Sequence, residues 1–336
     1  MAKAKRGKLT AVVSFLLSVA MIGSLSVFAT APSTTLTNVD LPGNTVSSYM
    51  NNRAGVILSE VVGIENVRVL PYDFSAPLSA PKSDNYYVLN GKKYYSDSTI
   101  EVTCWSETLV SHKYGNVPVY FSDVTIKHAS QFRRQWANGD YNAKGYQYPS
   151  NMFNSSNGVV GMSADFYKHR KFGIIIQYGT VICDKRGTSI LDVLTVDYDG
   201  NFKIWQDTEL SKRIQSEGAD DIMLSFTFGP VLVQNGTAVD ESHWEHQSLG
   251  ELSTTVGRAA IGQLGELHYL LCTVSNPGMT CAEIAQTMAD KGCVTAYNLD
   301  GGQSGTMLFE GKVYNQIAYK GVERAMSDIL YFASAE

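Results

Sequence analysis

Four apolar stretches of this chain are interrupted by a residue followed by glycine: Tyr178-Gly179, Asp199-Gly200, Asn235-Gly236 and Glu310-Gly311. A two-residue turn between antiparallel strands needs positive φ, which glycine adopts without steric cost. With apolar runs on both sides, over 174–181, 193–204, 231–239 and 307–314, each pair predicts a β-hairpin. Ile100-Glu101-Val102-Thr103-Cys104-Trp105 and Val117-Pro118-Val119-Tyr120-Phe121 carry the β-branched and aromatic residues of two more strands. Helical patterns are fewer, over 130–137, 208–217 and 281–291. The last has the clearest ends: Thr280 as cap, Glu283 three residues on as the second half of a capping box, and Gly292 as the stop. These patterns predict an α+β fold, a mixed, hairpin-rich β-sheet core with a few packed helices.

The first 29 residues read as an export signal. Lys3, Lys5, Arg6 and Lys8 precede an apolar run from Leu9 to Phe28, and Val27-Phe28-Ala29 and Ala29-Thr30-Ala31 both offer small-residue cleavage sites. Cleavage after Ala29 avoids placing Pro32 next to the cut. The alternative is an uncleaved anchor, since about 20 apolar residues span a bilayer. Both place the body outside the cytoplasm, secreted or in the cell envelope, with membrane contact only if the segment stays. Residues 30–85, broken by Pro32, Pro42, Pro71, Pro77 and Pro81, form a spacer or accessory region with one short helix over 47–60, and a domain follows over 86–336.

Cleavage after Ala29 removes four of 27 basic residues and none of 32 acidic ones, leaving a formal charge of −9. A body so acidic is a poor general partner for nucleic acid, so any phosphate site must be local. Five cysteines, Cys104, Cys183, Cys272, Cys281 and Cys293, contain no Cys-x-x-Cys pair. One bridge among the last three, or five free thiols, both fit.

Toward the C-terminus a set of ordered motifs appears. Gly161-Met162-Ser163-Ala164-Asp165-Phe166-Tyr167 comes first, then Phe228-Gly229-Pro230-Val231-Leu232-Val233-Gln234-Asn235-Gly236. Arg258-Ala259-Ala260-Ile261-Gly262-Gln263 and His268-Tyr269-Leu270-Leu271 follow, then Ala296-Tyr297-Asn298-Leu299-Asp300-Gly301-Gly302 and Glu323-Arg324-Ala325-Met326-Ser327-Asp328. In this order they resemble the phosphodiester glycosidases, a family with many exported bacterial members, some described as exopolysaccharide-biosynthesis proteins. The resemblance covers roughly 115–333. Ser163-Ala164 stands where the family usually has Asn-Gly, Gln303 where it has a third Gly, and Gly305 where it often has a second Ser.

The resemblance implies a hydrolase whose substrate, a phosphoglycan or other sugar-1-phosphodiester, is a sugar joined through its anomeric carbon to a phosphodiester. Phosphate leaves more readily than a sugar alkoxide, so the site must chiefly stabilise negative charge on phosphate and positive character on the sugar. Asp300, at the end of a short apolar strand and opening into two glycines, is the leading carboxylate; Asp165, at another strand end, is a second for acid–base work. Arg258 offers a planar fork for phosphate. Ser163, Asn298, Gly301, Gly302, Ser304 and Arg324 complete the candidate binding set, the glycines by letting main-chain N–H groups approach an anion; for Arg324 the plain alternative is an ion pair with Glu323 or Asp328. His243-Trp244-Glu245-His246 lacks the further ligands a metal site needs, so no cofactor is predicted and a divalent metal stays open. Trp244 is read as a loop residue, free to stack on a sugar or simply exposed. The competing function is a glycan- or phosphoglycan-binding protein on the same fold, motivated by Ser163 and Gln303; a third is a structural envelope protein, suggested by the first 85 residues.

Overall fold

A computed structural model describes residues 78–247, 252–317 and 321–336, together with the backbone of two short strands, β1 (Ser26–Ala29) and β2 (Val67–Leu70). Contacts divide the chain into two units, Met1–Ala76 and Pro77–Glu336. In the first, β1 pairs antiparallel with β2; the rest of the expected signal segment and the helix expected over 47–60 lie outside the described residues. No helix among the described residues is long and apolar enough to cross a membrane.

The second unit is built from three antiparallel sheets. The largest runs β15 (Thr237–Ala238), β14 (Val231–Gln234), β18 (Thr295–Leu299), β16 (Val256–Gly265), β17 (His268–Met279), β6 (Gly115–Ile126), β5 (Ile100–Ser111), β4 (Lys92–Ser96) and β3 (Tyr86–Leu89). The second has the order β10 (Thr180–Lys185), β9 (Gly173–Gln177), β13 (Ile222–Phe226), β11 (Asp192–Asp197) and β12 (Phe202–Gln206). The third has β20 (Lys312–Val313), β19 (Met307–Phe309), β8 (Gly158–Ser163), β21 (Asp328–Ala333) and β7 (Phe132–Trp136). The α+β expectation holds. All four expected hairpins form, and at three of them both turn residues have positive φ: Tyr178 and Gly179, Asn235 and Gly236, Glu310 and Gly311.

Among the described residues each sheet carries one helix of more than one turn. Helix α1 (Pro149–Ser155) puts Met152 and Phe153 against Ile329 of the third sheet. The one-turn α2 (Tyr167–Arg170) follows β8. Helix α3 (Asp207–Glu217) buries Leu210 against Ile174, Ile176 and Val193 of the second sheet. Helix α4 (Cys281–Asp290) has the expected Thr280–Glu283 capping box and packs Ile284 and Met288 onto Phe121, Ala260 and Cys272 of the largest sheet.

One expected helix is a strand. Residues 129–131 make a single 3-10 turn, and 132–136 become β7, paired with β21. The reason lies in the alternation of Phe132, Arg134 and Trp136. Phe132 stacks on Phe332 at 4.6 Å and meets Tyr269 at 5.5 Å and Phe226 at 6.3 Å, rings drawn from all three sheets. Burying an aromatic side chain contributes about 2–3 kcal/mol, more than local helix propensity supplies over one turn. The C-terminal ends of β8, β13 and β18 also meet: just past them the Thr227 N–H bonds the Asp165 carboxyl and the Asp300 N–H bonds the Ala164 carbonyl.

Candidate functional site

Two strand ends from different sheets are tied main chain to main chain. The Asp300 N–H, just past β18, donates to the Ala164 carbonyl at 2.9 Å, and the Ser163 hydroxyl, at the end of β8, donates to the Asp300 carbonyl at 2.8 Å. Ser163 is therefore a buried lock between sheets. A side chain at 301 would place its Cβ 2.7 Å from the Gly257 carbonyl oxygen and 2.9 Å from the Arg258 Cα. Glycine is required there because two backbones touch. The Gly302 N–H donates to that same Gly257 carbonyl at 2.6 Å, so the glycine pair serves the junction with β16, and the Gly302 N–H is not left for an anion.

Asp300 is 7% exposed. Burial pushes its carboxyl up to about 7, an effect partly offset by the Ser304 hydroxyl and the Arg324 and Arg170 guanidinium groups, while Asp165 adds to the rise. Asp165 meets a different environment. Its Oδ1 accepts the Phe166 N–H and its Oδ2 the Thr227 N–H, each at 2.8 Å, with Arg134 Nη2 3.8 Å from Oδ2. Both oxygens are occupied by main-chain donors, which fix the carboxyl group in place. Behind it Asp328, at the start of β21, accepts the Asp165 N–H at 3.2 Å and pairs with Arg134 Nε at 3.0 Å.

The two arginines beside Asp300 stand on an aromatic rim. Arg324 reaches the Ser304 hydroxyl at 3.4 Å and lies 5.9 Å from the Phe166 ring centre. Arg170 donates to the carbonyls of Thr227 and Phe228 and stacks over Phe228 at 4.6 Å. His169 stacks between Phe166 at 4.2 Å and Tyr146 at 4.9 Å. The ion pairs considered for Arg324 go elsewhere: Glu323 accepts the Ser150 N–H, and Asp328 belongs to Arg134.

Arg258 sits on β16 with its Cα close against Gly301, yet its guanidinium donates to the main-chain carbonyls of Met279, Leu252 and Thr254 at 2.9, 3.3 and 2.6 Å. The structure thus shows Asp165, Asp300, Ser163, Ser304 and Arg324 together. It shows the Arg258 head group bracing the turn before β16. Asn298, 1% exposed, donates to the Gly229 carbonyl at 2.8 Å and helps seat β18.

Arg134 and Arg170 are absent from the candidate set read from the sequence, and Asp328 figures there only as a partner for Arg324, whereas it pairs with Arg134. Arg170 had a signal in its place, five residues after Asp165 in a basic run. Arg134 had only the alternation of β7. Trp244 is corrected: it is 3% exposed, its indole N–H bonds the Val231 carbonyl at 2.8 Å, and it packs in the core. His243 Nε2 lies 3.7 Å from Asp192 Oδ1, while the side chain of His246 lies outside the described residues. Among the described residues no group of three or more His, Cys, Asp and Glu side chains is arranged to hold a metal ion. All five cysteines are free thiols.

Comparisons with known proteins bear on the family and the fold. A family model described as phosphodiester glycosidase matches residues 156–333, which include Ser163, Asp165, Arg170, Asp300, Arg324 and Asp328. A curated relative, the SPbeta prophage-derived uncharacterized protein YomE of Bacillus subtilis (strain 168), is 31% identical over 140 residues, 39% of this chain. The chain matches 20% of that relative's length. Among solved structures, the catalytic domain of zebrafish N-acetylglucosamine-1-phosphodiester alpha-N-acetylglucosaminidase, auto-inhibited by its pro-peptide, superposes with a TM-score of 0.60. The identity is 15%, with 77% of this chain and 88% of the zebrafish chain covered, a likeness of fold.

Proposed function

We propose that this chain, which belongs to the phosphodiester glycosidase family, hydrolyses a sugar-1-phosphodiester between the anomeric carbon and the phosphate oxygen. The observation that carries the reading is Asp300: a buried carboxylate at a strand end with two guanidinium groups, those of Arg324 and Arg170, acting on it. Ionised Asp300 faces the growing positive character of the sugar ring, as nucleophile or as base toward water. Arg324 and Arg170 take the negative charge of the phosphate, a role their planar heads suit. The anomeric C–O bond breaks, its electron pair leaves with the phosphate monoester, and water supplies the new hydroxyl. Asp165, held by two main-chain N–H groups, keeps the strand end in place.

A phosphoglycan of the cell envelope is the substrate that agrees with an exported chain. The basic and apolar N-terminal segment supports that location, and N-terminal sequencing of secreted protein should begin at Thr30; full-length protein confined to membranes would favour the anchor. The reaction is tested by screening the purified full chain against α- and β-linked sugar-1-phosphodiesters. Release of free sugar and phosphate monoester from one anomeric series is the expected result. Binding of such glycans with no turnover would replace the hydrolase with a binding protein.

A further inference from the structure

Arg134 and Asp328 have no part in the reaction just described, yet they are the most deeply buried charges of the region. Neither side chain has exposed surface. The Arg134 head lies 4.1 Å from the Phe226 ring centre and 4.7 Å from that of Trp136. Its Nε is 3.0 Å from Asp328 Oδ2 and its Nη2 3.8 Å from Asp165 Oδ2. Among the described residues none of its nitrogens has an aligned hydrogen-bond partner, so charge and ring faces hold it. A cation so placed is costly unless compensated, and breaking one side of such a pair leaves the other charge stranded.

The contacts run on without a gap. Asp328 Oδ1 accepts the Asp165 N–H, the neighbouring Ala164 carbonyl accepts the Asp300 N–H, and Ser163 donates back to the Asp300 carbonyl. Three carboxyl groups, Asp165, Asp300 and Asp328, thus lie along one path of main-chain contacts, two of them beside the fully buried Arg134 guanidinium. Asp328 also faces Tyr167 and Lys168, and Asp300 faces Ser304, Arg324 and Arg170.

We infer that Arg134 and Asp328 are positioning residues for Asp300: the pair fixes the 164–165 turn from which the Asp300 main chain hangs, and Asp328 and Asp300 act on each other as linked charges. The inference rests on Asp300 being the site carboxylate. Burial pushes Asp328 up to about 8, with Arg134 opposing and Asp165 and Asp300 adding to the rise, next to Asp300 at about 7. Two buried acids linked through one peptide group in this way release their protons in two steps that belong to the pair.

The test is carboxyl carbon NMR of the full chain, titrated in wild type, Asp328→Asn and Arg134→Lys. In wild type the Asp300 and Asp328 carbons should each report both steps. In Asp328→Asn the partner acid is gone, so Asp300 should titrate in a single step, near the lower of the two wild-type steps. Independent single-step curves in wild type, or an Asp300 curve that keeps two steps in Asp328→Asn, would overturn the inference. Should Asp328→Asn not fold, the wild-type titration still decides the linkage. Arg134→Lys keeps the charge and loses the planar head that spans Asp165 and Asp328. On a substrate found by the screen it should lower kcat about tenfold with KM within about twofold, the signature of lost transition-state alignment; unchanged kcat would remove the positioning role. The titration needs no substrate, so a chain that turns over no sugar phosphodiester can still show linked acids, and the two readings fail separately.

Discussion

Asp165 and Asp300 occupy nearly the same address, each just past the end of a strand that enters the junction of three sheets, yet their surroundings oppose one another. Asp165 is given two main-chain N–H groups and a guanidinium, donors that stabilise a carboxylate. Asp300 is given burial, one hydroxyl and more distant charges, and its carboxyl rises to about 7. Residue type and backbone position do not decide a role; the donors that face each oxygen do. The first acid is part of the scaffold, and the second is poised to change its charge near neutral pH.

The largest expected effect separates the two by stability. Asp165→Asn turns an amide NH2 toward a main-chain N–H and deprives Arg134 of a counter-charge. It should cost on the order of 3–5 kcal/mol, as when one side of a buried pair is removed, and lower Tm by roughly 10 °C. Asp300→Asn should behave oppositely. A carboxyl raised from about 4 unfolded to about 7 folded favours the native state fully below the lower value and loses that advantage as pH rises through the higher one. Wild type should therefore lose stability between about pH 4 and 7 by a few kcal/mol relative to Asp300→Asn. Thermal melts across pH check this. Equal destabilisation by both variants at pH 8 would erase the contrast and make Asp300 another scaffold residue.

The next effect separates them by chemistry. On a verified substrate Asp300→Asn should lower turnover on the order of 100-fold, as the loss of one preorganised electrostatic contact does. Binding should change less, because the charge it opposes grows mainly in the transition state. Wild-type activity should rise with pH through about 7 as Asp300 ionises. Near-normal turnover in folded Asp300→Asn would move the search to another carboxylate.

The legible parts of this protein were those written in neighbouring residues. The hairpins follow from polar-Gly pairs, α4 from Thr280 and Glu283, and the strand before Asp300 from an unbroken apolar run. β7 was hidden because Arg133 and Arg134 interrupt its apolar residues, and only packing against Phe226 and Phe332 from distant strands shows Phe132 to belong to a sheet. Asp300 could be picked out by its flanks. The charges around it could not, because Arg134, Arg170 and Asp328 are brought in by three separate elements. Trp244 was misplaced for a similar reason: its polar neighbours suggest a loop, while its ring lies in the core beside β14.

The smallest expected effect asks which arginine belongs with Asp300. Arg324 reaches Ser304 and acts on Asp300, whereas Arg258 spends donors on the carbonyls of Met279, Leu252 and Thr254. Lysine keeps the charge in each case and loses the fork. Arg324→Lys should therefore lower kcat/KM about tenfold, the cost of one charge-assisted contact of about 1.4 kcal/mol, with Tm nearly unchanged. Arg258→Lys should do the reverse. An ammonium cannot reach three carbonyls spread over two segments as a guanidinium does, so stability should fall by about 1–2 kcal/mol while the folded enzyme keeps its kinetics within about threefold. Melts and kinetics on the same two preparations settle the assignment. If Arg258→Lys loses as much kcat/KM as Arg324→Lys without melting lower, its head group must leave those carbonyls to hold phosphate. The junction between β16 and β18 would then be part of the binding surface as well as of the scaffold.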